Sequence, residues 1–281
     1  MAKKRKSAVA SAGRGGPVAG VYDIDTGTCE LVGDPYAPGS WVVKVNGVES
    51  SHIDPDDPER LDFEYMRWIA QLVRSHWEAS FRLRALHLGG GACSLARHLW
   101  AGYPDARQVV VELDGKLAEL VREWFDLPRA PLLRIRVGEA RAVTETLTES
   151  SRDLIIRDVF AGNTTPSALT TVEFTEHVRR VLAPGGIYVV NCGDTRDLVG
   201  AKREAATIGS LFEHLAIIAD PAMLKGRRYG NIVIAGSDVP IADDPALARK
   251  LLGGGVPATV WCDGRVRQFA GTAKALTDPV G

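Results

Sequence analysis

Residues 86–99 read LHLGGGACSLARHL. An apolar run ends at Leu88, glycines fill 89, 90 and 91, and a helix-like stretch opens near Ser94. A strand that turns through glycines into a helix lets its backbone approach a ligand closely, and the helix amino end adds partial positive charge. Taken alone, a tight strand–helix turn with nothing bound gives the same letters. The flanking pattern is more decisive. Short apolar segments recur as LRALHL (83–88), QVVVEL (108–113), LLRIRV (132–137), DLIIRD (153–158) and GIYVVN (186–191), with helix-like segments such as SLARHLWAGY, KLAELVREWF and TVEFTEHVRRVL between several of them. Strands alternating with helices predict an α/β protein, a Rossmann-like doubly wound sheet with parallel strands. Pro184-Gly185-Gly186 stops a helix before the fifth strand, and AIIAD (216–220) with YGNIVIAG (229–236) reads as an antiparallel pair closing the sheet edge.

Acidic residues end three of these strands. Glu112 lies about 20 residues beyond the glycines, where a Rossmann fold places an acid to accept hydrogen bonds from ribose hydroxyls. Gly138-Glu139-Ala140 follows the third strand, where an acid can accept a bond from an adenine amino group. Asp158 ends the fourth, beside the same crevice. Together with Gly89, Gly90 and Gly91 they predict a nucleoside site at the point where the sheet topology switches. A dinucleotide fold asks for G-x-G-x-x-G, but from Gly89 this chain has Gly91 and then Ser94 where the last glycine belongs. An adenosyl ligand lying across the strand ends is therefore favoured over a hydride carrier.

Outward from this core, residues 17–56 carry β-branched and aromatic residues between Gly, Asp, Asn and Pro, with the hairpin dipeptide Asn46-Gly47, and predict a small antiparallel N-terminal β-domain. FEYMRWIAQLVRSHW (63–77) has helical spacing, with Phe63, Met66, Ile69, Ala70, Val73 and Trp77 on one face. The nucleoside-binding domain is assigned to 57–238. The remainder, 239–281, holds one helix-like piece and a weak strand, ATVWCDG, with no assigned role. Residues 1–16 start MAKKRK and read as a disordered, basic, solubilising tail rather than a signal peptide.

The formal net charge of the 281 residues is −1, so no global field draws the chain to nucleic acid or a membrane, and no apolar run reaches a membrane span. Cys29, Cys93, Cys192 and Cys262 are widely spaced, which predicts neither disulfides nor zinc and suits a reducing, cytoplasmic setting. The six histidines show no ligand spacing, so no metal is expected. Cys93, at a helix amino end, reads as a small packing residue more readily than as an activated thiol.

With these residues in place, LHLGGGACSLARHL, QVVVELD, RVGEAR, DLIIRDVF and LAPGGIYVVN resemble the polyamine aminopropyltransferases, the spermidine synthases, and most closely their divergent actinobacterial-type members. The likeness runs from about 41 to 237. Ordinary methyltransferases carry D/E-x-G-x-G-x-G, and His87 stands where that first acid would be; the triple glycine is more like the synthase G-G-G-D-G. The resemblance implies an S-adenosylmethionine-dependent methyltransferase-type fold, a homodimer or higher oligomer, and a role in polyamine biosynthesis. The implied reaction moves an aminopropyl group from decarboxylated S-adenosylmethionine to a small-molecule amine. It assigns Glu112 to the ribose, Glu139 with Ala140 to the adenine side, Asp158 as general base, and Tyr65 beside the amine.

The chain also departs from that pattern. Ala92 replaces the acid of G-G-G-D-G, Ala161 replaces the second acid of D-S-S-D-P, and Met66 and Arg67 stand where His or Gln and Glu would be. RRYG (227–230) replaces Y-P-S-G, and Arg157 adds another cation nearby in sequence. A buried diammonium needs carboxylates, so the acceptor half of the site is expected to have diverged. Two further readings stay open: methyl transfer from intact S-adenosylmethionine, and a non-catalytic nucleoside-binding homologue.

Overall fold

The computed structural model describes residues 16–162 and 164–279. The basic tail expected over 1–16 therefore falls almost wholly outside the described residues. Four strands open the described chain: β1 (Gly20–Ile24), β2 (Gly27–Gly33), β3 (Trp41–Val45) and β4 (Val48–Ile53), which form an antiparallel sheet in that order. Asn46 and Gly47 make the tight turn from β3 to β4 with φ of 51° and 81°, as a hairpin with two left-handed central residues requires.

A helix, α1 (Glu64–His76), leads into the larger sheet. Of the face its spacing predicts, Met66, Ile69, Ala70 and Val73 are buried and Phe63 and Trp77 partly so, with Trp68 and Leu72 buried beside them. The alternating segment then runs β5 (Arg84–Leu88), α2 (Ser94–Gly102), β6 (Arg107–Glu112), α3 (Gly115–Trp124), β7 (Leu133–Val137), α4 (Ala140–Glu145), β8 (Arg152–Arg157), α5 (Val172–Val181), β9 (Leu182–Asp194) and α6 (Val199–Gly209). It closes with β10 (His214–Ala219), the single turn α7 (Pro221–Leu224), β11 (Gly230–Ser237), α8 (Pro245–Leu252), β12 (Thr259–Cys262) and α9 (Asp263–Ala270).

The sheet order is β12-β10-β11-β9-β8-β5-β6-β7. Strands β9, β8, β5, β6 and β7 are parallel, while β11, β10 and β12 are antiparallel additions. The chain builds β5, β6 and β7 outward in one direction and then returns to place β8 on the other side of β5. The topology thus reverses between β5 and β8, and the crevice at their carboxyl ends is where a ligand is expected. The antiparallel pair read at the sheet edge exists, but it does not close the sheet: β12 lies outside β10, pairing Ala216 with Cys262. Residues past 239 are in this way part of the main sheet. Further on, Leu276 O accepts from Val172 N and Asp278 pairs in two-pronged fashion with Arg141, which pulls Asp278 down to about 2.

Two apolar clusters hold these layers. The larger packs α1, α5 and α6 on the central sheet. The second is shared between the small sheet and the amino-terminal half of the large one: Ile24, Cys29, Leu31, Val43 and Ile53 meet Ala92, Ala96, Val110, Leu117, Val121 and Trp124. Each fully buried aliphatic side chain contributes about 1.5–3 kcal/mol, so the small sheet gains most of its stability from the surface it covers. Asp114 fastens the join. Its carboxylate caps α3 through Leu117 N and accepts from Thr26 N and Oγ1 in the β1–β2 turn. On the other side, His52 is buried between Asp34 (Nε2 to Oδ2, 2.8 Å) and Asp62 (Nδ1 to Oδ2, 2.5 Å). Sequence spacing gave no sign of this cluster, because its members come from three separate segments.

Candidate functional site

At the carboxyl ends of the parallel strands, backbone hydrogen bonds continue past the strands themselves. Asp158 N donates to Leu88 O, Gly89 N to Val111 O, and Gly138 N to Glu112 O, each at 2.9 Å. This row brings together the glycine bend, Glu112, the Gly138–Ala140 turn and Asp158, residues that the sequence places far apart.

The glycines are fixed by their own chain. Gly89 has φ +90°, and a Cβ there would collide with the Asp158 carbonyl oxygen; at Gly91, φ +48°, it would meet Ser51 Oγ at 2.7 Å. Glu112 points at the bend. Its Oε2 accepts from Gly90 N (3.0 Å) and Gly91 N (3.1 Å), and its Oε1 from Asp114 N (3.1 Å). A carboxylate has about four lone-pair sites. Glu112 is thereby held rigidly, with acceptor capacity left for a ribose hydroxyl. Leu113 and Val137, at 60% and 56% exposure, stand beside it at the ends of β6 and β7, an uncovered apolar edge of the kind that packs on a purine face. Neither was singled out from the sequence, since each looks like the last residue of an ordinary strand.

Glu139 is exposed, and its carboxylate caps α4, accepting from Arg141 N (2.9 Å) and Ala142 N (2.7 Å). Capping acids and ligand acids look identical in sequence; here the visible bonds are those of a cap. Ala140, next in line, is buried.

Asp158 and Tyr65, drawn from β8 and α1, meet: the Tyr65 hydroxyl donates to Asp158 Oδ2 at 2.9 Å. Asn191, at the level of Asp158 on the neighbouring β9, donates its Nδ2 to Asp158 Oδ1 at 2.9 Å. The sequence reading passed over Asn191; its only signal is a polar residue ending the apolar run Ile187–Val190. Burial raises the carboxyl pKa of Asp158, and the bonds from Asn191 and Tyr65 with the nearby Arg157 charge oppose that rise. Burial, the facing carboxylate and its hydrogen bond lift the Tyr65 phenol well above its ordinary value. Below the bend, Met66, Gly89, Ser94, Leu95 and Asp158 border a cavity of about 20 Å³, room for about one water. A larger cleft, about 500 Å³, lies at the opposite ends of the strands between Arg122, Phe125 and Ile135 and holds none of these groups.

The residues that break the expected pattern have defined places. Ala92 is fully buried under the small sheet, its N–H donating to Ser51 Oγ at 2.9 Å. Met66 packs in the main core. Arg67 donates to Leu61 O and Asp62 O. Arg157 does not face the crevice at all: at 1% exposure it pairs with Glu204 at 2.7 Å and donates to Leu169 O. Arg228 bridges Asp220 (3.0 Å) and Glu64 (3.7 Å). The nearby arginines thus carry partners instead of lining an anion pocket, apart from the exposed Arg227. Cys93 is buried and its thiol is pushed up to about 12, so the helix amino end does not activate it.

No family model matches the chain. Among solved structures it is similar to a probable spermidine synthase from Corynebacterium glutamicum ATCC 13032, 54% identical, with a TM-score of 0.90, covering 94% of this chain and 98% of that one. Among curated proteins it is similar to the polyamine aminopropyltransferase of Vibrio vulnificus, 30% identical over 200 residues, 70% of this chain and 63% of the relative. It is likewise similar to that of Chromobacterium violaceum, 32% identical over 148 residues, 52% of this chain and 56% of the relative. The chain spans about three fifths of the length of these two curated relatives.

Proposed function

The chain belongs to the spermidine synthase-like family of polyamine aminopropyltransferases, and from that premise we propose that it transfers an aminopropyl group from decarboxylated S-adenosylmethionine to a small amine through a diverged acceptor site. The adenosyl part of the donor fits the row of strand ends: Glu112 for the ribose, Leu113 and Val137 against the purine, and the Glu139–Ala140 turn at its amino edge. In the transfer the amine lone pair forms the new N–C bond. The C–S pair passes to sulfur, which leaves as a neutral thioether, and the proton lost by the amine goes to Asp158.

The observation that carries this reading is the carboxylate of Asp158, held by Tyr65 and Asn191 at the switch point and raised in pKa by burial. A base poised in this way removes the amine proton without needing strong alkali. Incubation with decarboxylated S-adenosylmethionine and a panel of amines, putrescine included, should release methylthioadenosine. Asp158→Asn should lower that release by about 10²–10⁴-fold. Absence of methylthioadenosine with every amine would end the aminopropyl assignment.

One observation favours a second reading. Ala92 is buried where the family acid would meet the donor ammonium, so nothing at that position distinguishes the decarboxylated donor. Intact S-adenosylmethionine with methyl transfer is the alternative, and calorimetry with the two donors separates them: preference for the decarboxylated form counts against methyl transfer. We further propose a cytoplasmic homodimer or higher oligomer. No helix among the described residues is long and apolar enough to cross a membrane.

A further inference from the structure

Past α9, residues 271–279 run without helix or strand, yet they are bonded to three helices in turn. Leu276 N donates to Thr207 Oγ1 on α6 (2.8 Å), Leu276 O accepts from Val172 N at the start of α5 (2.8 Å), and Asp278 N donates to Glu173 Oε2 on α5 (2.9 Å). The segment ends on α4, where the Asp278 carboxylate takes both arms of the Arg141 guanidinium, at 2.8 and 2.5 Å. Ion pairs on a surface hold little singly, but a two-pronged arginine–carboxylate pair within a network is the strong form. Arg141 meets that description. Its Nε also donates to Glu145 Oε1 (3.1 Å) and its Nη1 to Ala168 O (3.3 Å), and the side chains of Arg141 and Asp278 are only 21% and 31% exposed.

What the pair holds is α4. Six residues are too few to stay helical alone, so this helix depends on its anchors. On the inner side Gly138 N is fixed to Glu112 O. On the outer side the anchor is Arg141, whose own N–H donates to the Glu139 carboxylate. Ala168, its further contact, lies in the single turn Ser167–Leu169 on the segment that follows Asp158.

We propose that residues 271–279 form a strap that positions the adenine-side turn: Asp278 locks Arg141, Arg141 keeps α4 wound, and Glu139 and Ala140 are thereby held where an adenine edge is met. Arg141 and Asp278 are positioning residues that act through the turn. The effect on affinity rests on the donor-site reading of Glu139 and Ala140; the hold on α4 rests on the bonds alone. The strap reaches α4 from outside the crevice and makes no bond to Tyr65 or Asp158, so it bears on the donor and not on the amine.

The first arm of the test needs no ligand. Amide hydrogen exchange is followed in the full chain for the wild-type protein and Asp278→Ala. The N–H groups of Arg141, Ala142 and Val143, all bonded to Glu139, should exchange about tenfold faster, while those of Val110 and Val111 in the central sheet keep their rates. Unchanged exchange in α4, or an equal acceleration in the sheet, overturns the strap. The second arm is calorimetry with methylthioadenosine. Asp278→Ala should weaken binding about tenfold, and Asp278→Glu, which keeps a carboxylate within reach of Arg141, should restore most of it. In turnover the donor KM should rise by a similar factor, with the amine KM and the kcat at saturating donor unchanged. No loss of affinity, or a loss shared equally by donor and amine, overturns the positioning role. Should Asp278→Ala fail to fold, Arg141→Lys replaces it with the same expectations, since lysine keeps the charge and loses the two-pronged grip. If the wild-type protein binds neither methylthioadenosine nor the donor, the donor-site reading falls and the affinity claim with it, while exchange still decides whether the strap holds α4.

Discussion

A Cβ on Gly89 would press into the Asp158 carbonyl oxygen from a residue already at φ +90°. Both the left-handed backbone and the collision act against any side chain, so Gly89→Ala should cost on the order of 3 kcal/mol of stability in urea unfolding. Gly162, at φ +65° and with nothing among the described residues within 4 Å of an added Cβ, provides the contrast: Gly162→Ala should cost about 1 kcal/mol. The glycine at 89 was legible as a letter, while the steric demand for it from the neighbouring strand end was not, since that demand depends on the Asp158 carbonyl 69 residues away. Glu112 and Asp158 were legible as acids at the ends of apolar strands, but so was Glu139, whose carboxylate caps α4, so the letters alone did not separate a cap from a crevice acid. Asn191 was not, because an asparagine after four apolar residues is also what an ordinary strand end looks like, and only the neighbouring strand shows what its amide faces.

Among the elements, α3 shows how a single acid couples two layers. Asp114 satisfies the first turn of the helix and the Thr26 turn of the small sheet at once. Asp114→Ala should destabilise by about 1–2 kcal/mol for the lost cap and by a further ~1 kcal/mol for the lost bonds to Thr26. A double-mutant cycle with Thr26→Val, read by urea unfolding, should return a coupling well above the scatter seen for distant sites. The alternation of strands and helices from 83 to 191 could be read directly, because buried parallel strands are short continuous apolar runs and amphipathic helices have a different period. The outer strand β12 could not be placed: four residues of intermediate exposure carry little periodicity, and its pairing with β10 depends on a return across the chain. The polar helix α9, with buried side chains only at Val266 and Ala270, gave too thin an apolar stripe to recognise.

For the molecule as a whole, the apolar cluster shared by the two sheets implies one cooperative unfolding transition, not two. Its pH dependence is set in part by His87, which is buried against Gln108 and whose pKa burial lowers to about 4. An unfolded histidine titrates near 6.5, so between about 6.5 and 4 the unfolded chain binds the proton that the folded one refuses. Stability from this group is complete above 6.5 and falls with pH through that window, by roughly 3 kcal/mol in all. Burial acts in the same direction on His76 and His98. In His87→Gln the decline in unfolding free energy from pH 7 to 4.5 should be visibly shallower. An unchanged slope would place the acid sensitivity elsewhere. At this scale the parallel sheet and its switch point were foreseeable from sequence, while the way the small sheet covers the second helix was not, since no local pattern records which surface a hairpin lands on. That covering decides what position 92 can hold. Ala92 lies sealed beneath Ser51, so an aspartate introduced there would strand an unpaired carboxylate inside the fold at a cost of several kcal/mol. A side-chain acid at this position could reach the crevice only if the covering strand moved aside.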